Sequence, residues 1–549
     1  MKWADFSVKK KVNDSPVRQH SFDALALSDE KRGALCTYIR EILQSESDEG
    51  CVQANRVLLE VFPEARVVMG IGVALWVDGK LRGSQIVEKQ PLNIAARNAA
   101  RYAASDARFK PVIREELART RIEVTLLSRV QTIPTRRFQA ETDFDPKKAY
   151  KLTYREYRGW YLPEVFNCVR FRNADDFFEQ LTRHKAGLDI RMFRRASLEI
   201  FDTDDFVELK RKTCILRLSG PFVRRGVRHK NLDEVFLRDL EDVLSRAADH
   251  LVRIQESDGN IPAVINPLTG YEKQIDWVRL SLTAHALAVF GVTMGMDKYL
   301  VAAEKAATYI RRYGYEHPYL GVSAKILCRV YYAEYLIAIG RRGDAAAVAE
   351  EILQRSFPVR FEPILLMKIA SLFLAFEGGE YFSKANRLFL LVWNDFRRQE
   401  KRKLPMQLAL FPEMIMVADV LHTLVRDESY ARKRDYLIDW FVAQQQQDGS
   451  FPSEVGSRYS YVRGTGKIFE VLSSRPVENQ VSIVGAFSWL KDMQYVEEAV
   501  YFVKPELRER TIGGFRHDVY NQEIWMDSAA HVLIGGSRIR RKLRGENML

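Results

Sequence analysis

The chain has 549 residues, of which 47% are hydrophobic and 28% are charged. This composition is that of an ordinary globular protein, and it excludes a disordered, collagen-like or disulfide-scaffold chain. At roughly 150 residues per domain, the length predicts two to four domains. Lysine and arginine exceed aspartate and glutamate by 84 − 72 = 12. The basic residues form short clusters without interleaved aromatics, so the sequence does not favour nucleic-acid binding.

The N-terminal residues contain no apolar run of the kind found in a secretory signal. The most apolar stretch, 364–376, is interrupted by Lys368 and is too short to span a membrane, so it predicts a buried helix. The five cysteines are far apart and form no CxxC pair, which is typical of reduced thiols. These features predict a cytoplasmic protein without a membrane span.

Residues 30–210 mix helical and strand periodicity without regular alternation, which predicts an α+β domain. The turn Asp78-Gly79 follows an apolar run and indicates a hairpin. The predicted strands are 66–76, 123–127 and 150–154, and the predicted helices are 34–43, 55–61, 92–104 and 175–184.

From about residue 232 onward, one amphipathic segment follows another, and Gly, Pro or Asp-Gly separates most of them. Twelve helices in about 315 residues is the number that six antiparallel hairpins need to close into an all-α (α/α)6 ring. The segments are 235–256, 279–293, 298–313, 319–340, 344–357, 362–376, 381–399, 405–426, 431–446, 465–473, 479–494 and 522–536. The predicted division is 20–215 for the α+β domain, 216–234 for a linker and 235–549 for the ring.

A short pattern occurs twice in the helical half. Residues 255–262 and 445–452 both read Q-x-x-D-G-x-(I/F)-P. Asp-Gly closes a turn and proline prevents the helix from continuing. The recurrence of one helix-stop unit supports a repeated helical-hairpin architecture.

Several segments of the α+β half occur in the order of a known family pattern. They are 78–84 (DGKLRGS), 105–109 (SDARF), 122–127 (IEVTLL), 159–163 (GWYLP) and 185–188 (KAGL). In these segments the chain resembles the AMMECR family across roughly 180 residues. The resemblance implies a two-part α+β domain and, as partners, Memo-like or radical-SAM proteins, but it implies no defined reaction.

The motif residues of this resemblance are Arg82, Gly83, Ser84, Asp106 and Arg108. The family usually places cysteine where Ser84 stands, so a thiol nucleophile is absent at this position. Two interpretations remain open for the motif. Its arginines and aspartate hold the hairpin and a helix end together, or they form a site for an anionic ligand.

The helical half resembles the α/α-toroid group, which includes terpenoid cyclases, prenyltransferase β-subunits and carbohydrate-active enzymes. The chain lacks the zinc ligands of prenyltransferase β-subunits, and it has no Walker A, HExxH or dinucleotide motif. The sequence therefore predicts no bound metal and no cofactor. The D-x-D-D within 201–205 resembles the acid motif of class II terpene cyclases. Because it precedes the ring, we expect a solvated acidic loop instead.

Polar and aromatic residues concentrate in two late loops, 448–467 and 513–527, and 275–279 occupies a comparable position in another hairpin. In a toroid these segments face one mouth, where aromatics, arginines and paired carboxylates suit a saccharide cleft. Glu523 and Asp527 are four residues apart and share a face if the helix is continuous there. The catalytic candidates are Glu523, Asp527, His517, Asp518 and Tyr461, and the substrate-binding candidates are Asp448, Arg458, Arg463, Lys467, Arg516, Trp525, Asp276 and Arg279.

The sequence leaves three functions open. The leading hypothesis is a toroid cleft that binds or transforms a polar, anionic or saccharide-like substrate by acid/base chemistry of the lyase, epimerase or hydrolase type, with the AMMECR-like domain as an accessory or second site. The alternatives are a non-catalytic interaction protein in a multi-protein pathway and a tailoring enzyme for terpenoid or prenyl substrates. His285, His422 and His531 lie within helical patterns, and we expect them to be structural.

Overall fold

The computed structural model describes residues 27–45, 47–208, 215–219, 222–223, 229–315, 317–354, 362–376 and 378–546. The N-terminal residues on which the signal-peptide expectation rests lie outside this part. The described chain forms a sheet-containing N-terminal domain followed by a helical domain.

The N-terminal domain is built on one antiparallel sheet with strand order β2-β1-β3-β6-β4-β5, and β7 and β8 extend it from β6. Helices α1, α2 and α3 pack together, and a buried apolar core joins them to the strands. Ser28 and Ser47 cap α1 and α2 by accepting hydrogen bonds from backbone N–H groups of the first turn. The strands are β1 (Val68–Val77), β2 (Lys80–Pro91), β3 (Thr120–Pro134), β4 (Ala149–Tyr154), β5 (Tyr157–Tyr161), β6 (Ser197–Glu208), β7 (Ile215–Ser219) and β8 (Phe222–Val223), and the helices are α1 (Asp29–Gln44), α2 (Asp48–Val61), α3 (Leu92–Ala104), α4 (Ala140–Asp143) and α5 (Ala174–Gln180).

Two expectations about this domain are wrong in detail. The D-x-D-D segment is not a solvated loop but part of β6, where Asp202 pairs with Lys148 and Asp204 pairs with Arg32, each at 2.8 Å. The predicted linker 216–234 begins inside the sheet, because β7 pairs with β6. Hydrogen bonding to the long strand β6 extends the domain past the point where the sequence pattern changes.

The helical domain is a closed ring of six hairpins. Inner helices α7, α9, α11, α13, α15 and α18 contact one another in that order, and α18 returns to α7. Each inner helix packs against one outer helix, and α18 pairs with α6, so the last helix of the domain closes onto the first. The helices are α6 (Glu234–Ile254), α7 (Trp277–Met294), α8 (Asp297–Tyr313), α9 (Val322–Ala338), α10 (Arg342–Leu353), α11 (Pro363–Leu374), α12 (Gly379–Lys401), α13 (Glu413–Val425), α14 (Glu428–Val442), α15 (Val462–Leu472), α16 (Gln480–Asp492), α17 (Pro505–Thr511) and α18 (Met526–Leu543).

The twelve long helices agree with the twelve that the sequence predicts, and the short α17 is additional. The inner helices are apolar on most sides because they pack against neighbours all round, whereas the outer helices keep a polar face. Two helical segments of the described chain, Trp277–Met294 and Leu408–Val425, are long and apolar enough to cross a membrane by composition. Both belong to the inner ring and are mostly buried in the protein.

The repeated Q-x-x-D-G pattern ends a helix in a turn, as the sequence predicts, and in addition its glutamine clamps the turn to a second helix. Gln255 donates its side-chain amide to the carbonyls of Gly259 and Ala302, and Gln445 does the same to Gly449 and Ser482, at 2.8–3.2 Å. The glycines adopt positive φ, and a Cβ at Gly449 would lie 2.1 Å from the backbone oxygen of Gly485. Each clamp therefore fastens the end of an outer helix to another helix.

The two domains share a buried interface. The β1–β2 hairpin packs on the segment that precedes α17, and Trp76 makes edge contacts with Tyr501 and Phe502. Glu123 of β3 accepts hydrogen bonds from the Tyr501 hydroxyl at 2.9 Å and from Trp76 Nε1 at 2.7 Å. Burial raises the pKa of this carboxyl to about 8, although both hydrogen bonds favour the anion. The apolar core is continuous across this interface.

Candidate functional site

Three helix starts meet at one end of the ring. Asp276 caps α7 by accepting a hydrogen bond from the backbone N–H of Arg279 at 3.2 Å. Tyr461 directly precedes α15, and Trp525 directly precedes α18. Since α7, α18 and α15 are consecutive in the ring, their first turns adjoin. We call residues 276–279, 461–467 and 517–527 the mouth.

The centre of the mouth is a buried carboxylate between two arginines. Asp527 Oδ2 lies 3.3 Å from Arg279 Nε and 3.5 Å from Arg463 Nη1. Burial opposes the charge on Arg463, but Asp527 and Tyr461 together outweigh this effect and raise the pKa of the guanidinium. Asp527 Oδ1 and Arg463 Nε are buried and have no hydrogen-bond partner among the described residues. Buried polar atoms are normally satisfied, so these two have hydrogen-bonding capacity for a ligand.

A row of aromatic rings crosses the mouth. Trp525 stacks on His517 at 4.1 Å between centroids, and the Arg279 guanidinium lies 4.1 Å from the Trp525 ring. From His517 the row continues to Tyr461 at 5.6 Å and to Tyr459 a further 6.0 Å away. Trp525 and Tyr461 are half-buried, so part of each ring faces outward.

His517 is held as a neutral ring. Burial lowers its pKa, although the adjacent Asp518 carboxylate acts in the opposite direction. Its Nδ1 is buried and has no hydrogen-bond partner among the described residues. Asp518 itself is fully used by the loop, because it accepts hydrogen bonds from the Tyr459 hydroxyl and from the backbone N–H groups of Tyr520 and Asn521 at 2.6–2.8 Å.

An ionic cluster lies on the ring axis, and we call it the axial layer. Lys368 Nζ contacts Glu413 at 2.8 Å and Glu334 at 3.4 Å. Glu470 contacts His531 at 2.7 Å. The charged or titratable members come from all six inner helices: His285, Glu334, Lys368, Glu413, Glu470 and His531.

The sequence reasoning missed the carboxylates of the axial layer and did not place Lys368 in a site. It expected His285 and His531 to be structural, and each contacts a carboxylate within the layer, Glu334 at 3.2 Å and Glu470 at 2.7 Å respectively. A usable signal exists in the sequence. Lys368 is the only charged residue in the apolar helix α11, and a buried charge requires partners on facing helices.

The N-terminal domain holds the mouth loop in place. Arg170 Nη1 contacts Glu523 Oε1 at 2.7 Å, and Glu523 Oε2 accepts a hydrogen bond from Trp525 Nε1 at 3.2 Å. Tyr520 packs among the aromatic residues of the N-terminal domain, with Phe144 stacked at 5.9 Å. The orientation of Trp525 is thereby tied to a residue of the other domain.

Several predicted site residues have other roles in the structure. Glu523 precedes α18 and is not on one helix face with Asp527. Asp448 closes the repeated turn through Ser450, and Asp518 is used by the loop. Arg516 is buried and binds Asn167 and the Phe166 carbonyl of the N-terminal domain, and Arg458 contacts the Thr142 carbonyl. Glu523, Arg516 and Arg458 differ from their predicted roles because each makes a non-local contact with the N-terminal domain. The residues that do meet at the mouth are Asp276, Arg279, Tyr461, Arg463, Lys467, His517, Trp525 and Asp527.

The arginines and the aspartate of the AMMECR-like motif hold the hairpin and a helix end together, which is the first of the two interpretations given above. Asp106 accepts hydrogen bonds from the Ser84 and Arg108 backbone N–H groups, and the Arg108 side chain reaches the Ser84 carbonyl at 2.6 Å. Arg82 binds Glu116 at 2.7 Å. A Cβ on Gly83 would lie 1.8 Å from the Ala103 carbonyl oxygen. Both guanidinium groups are therefore engaged by internal partners.

Among the described residues, no group of three or more His, Cys, Asp or Glu side chains is arranged to hold a metal ion. The chemistry available at the mouth is that of its charged, aromatic and imidazole groups.

Comparison with known proteins gives separate matches for the two halves. An uncharacterized protein from Pyrococcus horikoshii is 21% identical, covers 35% of this chain and 98% of its own, and has a TM-score of 0.28. The unsaturated glucuronyl hydrolase of Bacillus sp. GL1 is 11% identical over 56% of this chain and 97% of its own, with a TM-score of 0.41. A sugar epimerase from a ruminal bacterium is 11% identical over 57% of this chain and 100% of its own, also with a TM-score of 0.41. No curated protein matches the chain.

The N-terminal half also matches a family model. The matched segment is 36–206, and the family is described as AMMECR1. It includes the hairpin motif and all strands from β1 to most of β6. The chain therefore carries an AMMECR1 domain at residues 36–206, joined to a ring of six helical hairpins.

Proposed function

We propose that the mouth of the ring binds an anionic, saccharide-like ligand. The observation that carries the proposal is the arginine pair at Asp527. Arg279 and Arg463 both contact this one carboxylate, and Arg463 Nε is buried without a hydrogen-bond partner among the described residues. Glu523, another carboxylate of the mouth, is paired with Arg170 of the N-terminal domain. A ligand carboxylate or sulfate accepts hydrogen bonds from the guanidinium groups.

The aromatic row supports a ring-shaped polar ligand. Trp525 and Tyr461 present partly exposed rings beside the arginines. Apolar and aromatic surfaces with a few convergent polar groups are typical of small-molecule sites. A sugar acid has both parts, because its ring packs on an aromatic surface while its acid group reaches the guanidinium.

The axial layer limits how deep the ligand lies and disfavours a hydrocarbon substrate. Three carboxylates, one lysine and two histidines occupy the ring axis. Placing a terpenoid or prenyl chain there would remove water from charged groups without replacing their hydrogen bonds, which is costly. The terpenoid alternative is therefore not supported, and we place the ligand above the layer.

We further propose that His517 and Asp527 transfer protons on the bound ligand, in a lyase, epimerase or hydrolase reaction. His517 is neutral because burial lowers its pKa, so it accepts a proton at neutral pH. Once a turned-over ligand is found, His517→Gln should abolish turnover and leave binding within about twofold. Equal turnover in the variant would refute this role.

Calorimetric titration with oligogalacturonates, and with neutral oligosaccharides of equal length, tests the binding proposal. We expect binding of the acidic series only, weakened by added salt because the attraction is electrostatic. Arg463→Ala removes a charge-assisted hydrogen bond of about 1.5–3 kcal/mol, so Kd should rise about 10- to 150-fold. Arg458→Ala is the matched control, since Arg458 lies in the same segment, 448–467, as Arg463 but contacts the Thr142 carbonyl of the N-terminal domain. Equal effects of the two variants, or equal binding of both series, would contradict the proposal.

A further inference from the structure

Lys467 is a residue of the mouth that lies next to the axial layer. Residues 463, 467 and 470 share one face of α15 because they are spaced by four and three positions. Arg463 reaches Asp527, and Glu470 reaches His531, both on α18. Lys467 is therefore aimed toward the ring axis from the second turn of α15, and its side chain is half-buried.

The amine of Lys467 differs from its neighbour Lys368 in its partners. Lys368 Nζ is neutralised by Glu413 and Glu334. Among the described residues, Lys467 Nζ makes no hydrogen bond and has no carboxylate within 4.0 Å. The charged groups that face it from the packed helices are Arg463, Asp527, Lys368, Glu470 and His531.

This environment favours the uncharged amine. Burial, followed by the Arg463 charge, lowers the pKa of Lys467 to about 8. Lysines that are desolvated or placed beside another cation act as nucleophiles toward carbonyl groups. Lysine is well suited to this role because its pKa shifts readily on burial.

We propose that Lys467 forms an imine with an aldehyde or ketone that also carries an acid group, such as an open-chain uronic acid or a 2-oxo acid. The Nζ lone pair forms a bond to the carbonyl carbon, and the carbonyl oxygen leaves as water with the two N–H protons. Arg463 and Arg279 receive the acid group. The inference rests on the proposed anion site and adds to it a covalent step and a carbonyl requirement.

The geometry provides for both parts of such a ligand. Arg463 precedes Lys467 by four residues, about 6 Å along the helix axis, so an acid group at the guanidinium places an adjacent carbonyl near Nζ. The unpartnered Arg463 Nε is available to the acid group without breaking the pair with Asp527.

Reductive trapping with glyoxylate tests the proposal on the full chain. The protein is incubated at pH 8 with glyoxylate and cyanoborohydride, and the labelled lysines are mapped and timed by peptide mass spectrometry. At this pH about half of Lys467 is uncharged, against about 0.4% of an ordinary lysine. We expect Lys467 to be labelled at least about 10-fold faster than the average of the other lysines. Propionaldehyde, which lacks the acid group, should lose this selectivity.

Variants and a competitor separate this inference from the proposed function. Lys467→Met should remove the fast label, whereas Lys298→Met should retain it, because Lys298 pairs with Asp249 at the surface. Oligogalacturonate should slow labelling of the wild-type protein. No preference for Lys467 in the wild-type protein, with oligogalacturonate binding intact, overturns the imine and leaves the anion site standing. Loss of both refutes the proposed function as well.

Discussion

Replacing Lys368 by methionine tests whether the axial layer holds the ring together. Lys368 has 4% of its side chain exposed and contacts Glu413 at 2.8 Å and Glu334 at 3.4 Å. Burial opposes its charge, but the surrounding carboxylates outweigh this and raise the pKa of the lysine well above its usual range. Methionine occupies a similar volume, so the main effect is the loss of the cation.

The expected loss of stability is large because the carboxylates remain buried without their partner. Breaking a buried ion pair on one side costs about 3–5 kcal/mol. This corresponds to a roughly 150- to 5000-fold increase in the unfolding equilibrium constant. The midpoint of urea unfolding, followed by circular dichroism, measures the change. Lys401→Met, at the exposed end of α12, is the control and should stay within about 0.5 kcal/mol.

A pH series sharpens this test. Burial opposes the charge on Glu334, yet Lys368 and His285 together outweigh this effect and hold the folded-state pKa of that carboxyl below its ordinary value. Because the carboxyl has a lower pKa in the folded than in the unfolded state, its ionisation stabilises the fold at pH values above the unfolded-state pKa of about 4.5. This stabilisation is lost as the pH falls below that value. Lys368→Met should reduce this acid-dependent loss. A cost below about 1 kcal/mol, with an unchanged pH series, would refute the reasoning.

Three further outcomes are expected. The wild-type protein should lose stability as pH rises from about 4.5 through 8, because burial raises the pKa of the Glu123 carboxyl to about 8, and Glu123→Gln should remove this pH dependence; identical Tm-against-pH curves would be inconsistent with this. Arg170→Ala should weaken oligogalacturonate binding about threefold by releasing the mouth loop, whereas Arg172→Ala should leave Kd unchanged; equal Kd values would exclude that coupling. Gly83→Ala should cost about 2 kcal/mol or more in urea unfolding, since its Cβ meets the Ala103 carbonyl; a neutral result would argue against this packing.

The twelve long helices could be predicted because each carries an apolar stripe that the ring must bury. Which helices are inner could not be assigned, although the inner ones are apolar on more sides. The hairpin at Asp78-Gly79 was also predictable, since positive φ at both positions suits these residues. The continuation of the sheet into β7 depends on pairing with the distant strand β6, which no local pattern indicates.

The site was predictable where it depends on helix starts and unpredictable where it depends on the other domain. Arg463, Asp527 and Trp525 meet because neighbouring inner helices begin at the same end of the ring. From the sequence, Arg516 cannot be distinguished from an arginine that binds a ligand, yet in the structure it binds Asn167 of the N-terminal domain. Contacts between residues about 350 positions apart leave no periodic signal in the sequence.

The crystal structure of the protein with a bound oligogalacturonate tests the central claim most directly. The account predicts a ligand carboxylate within hydrogen-bond distance of the Arg463 or Arg279 guanidinium and a sugar ring against Trp525 or Tyr461. A ligand bound elsewhere on the protein, or an empty mouth at concentrations that saturate binding in solution, would contradict it.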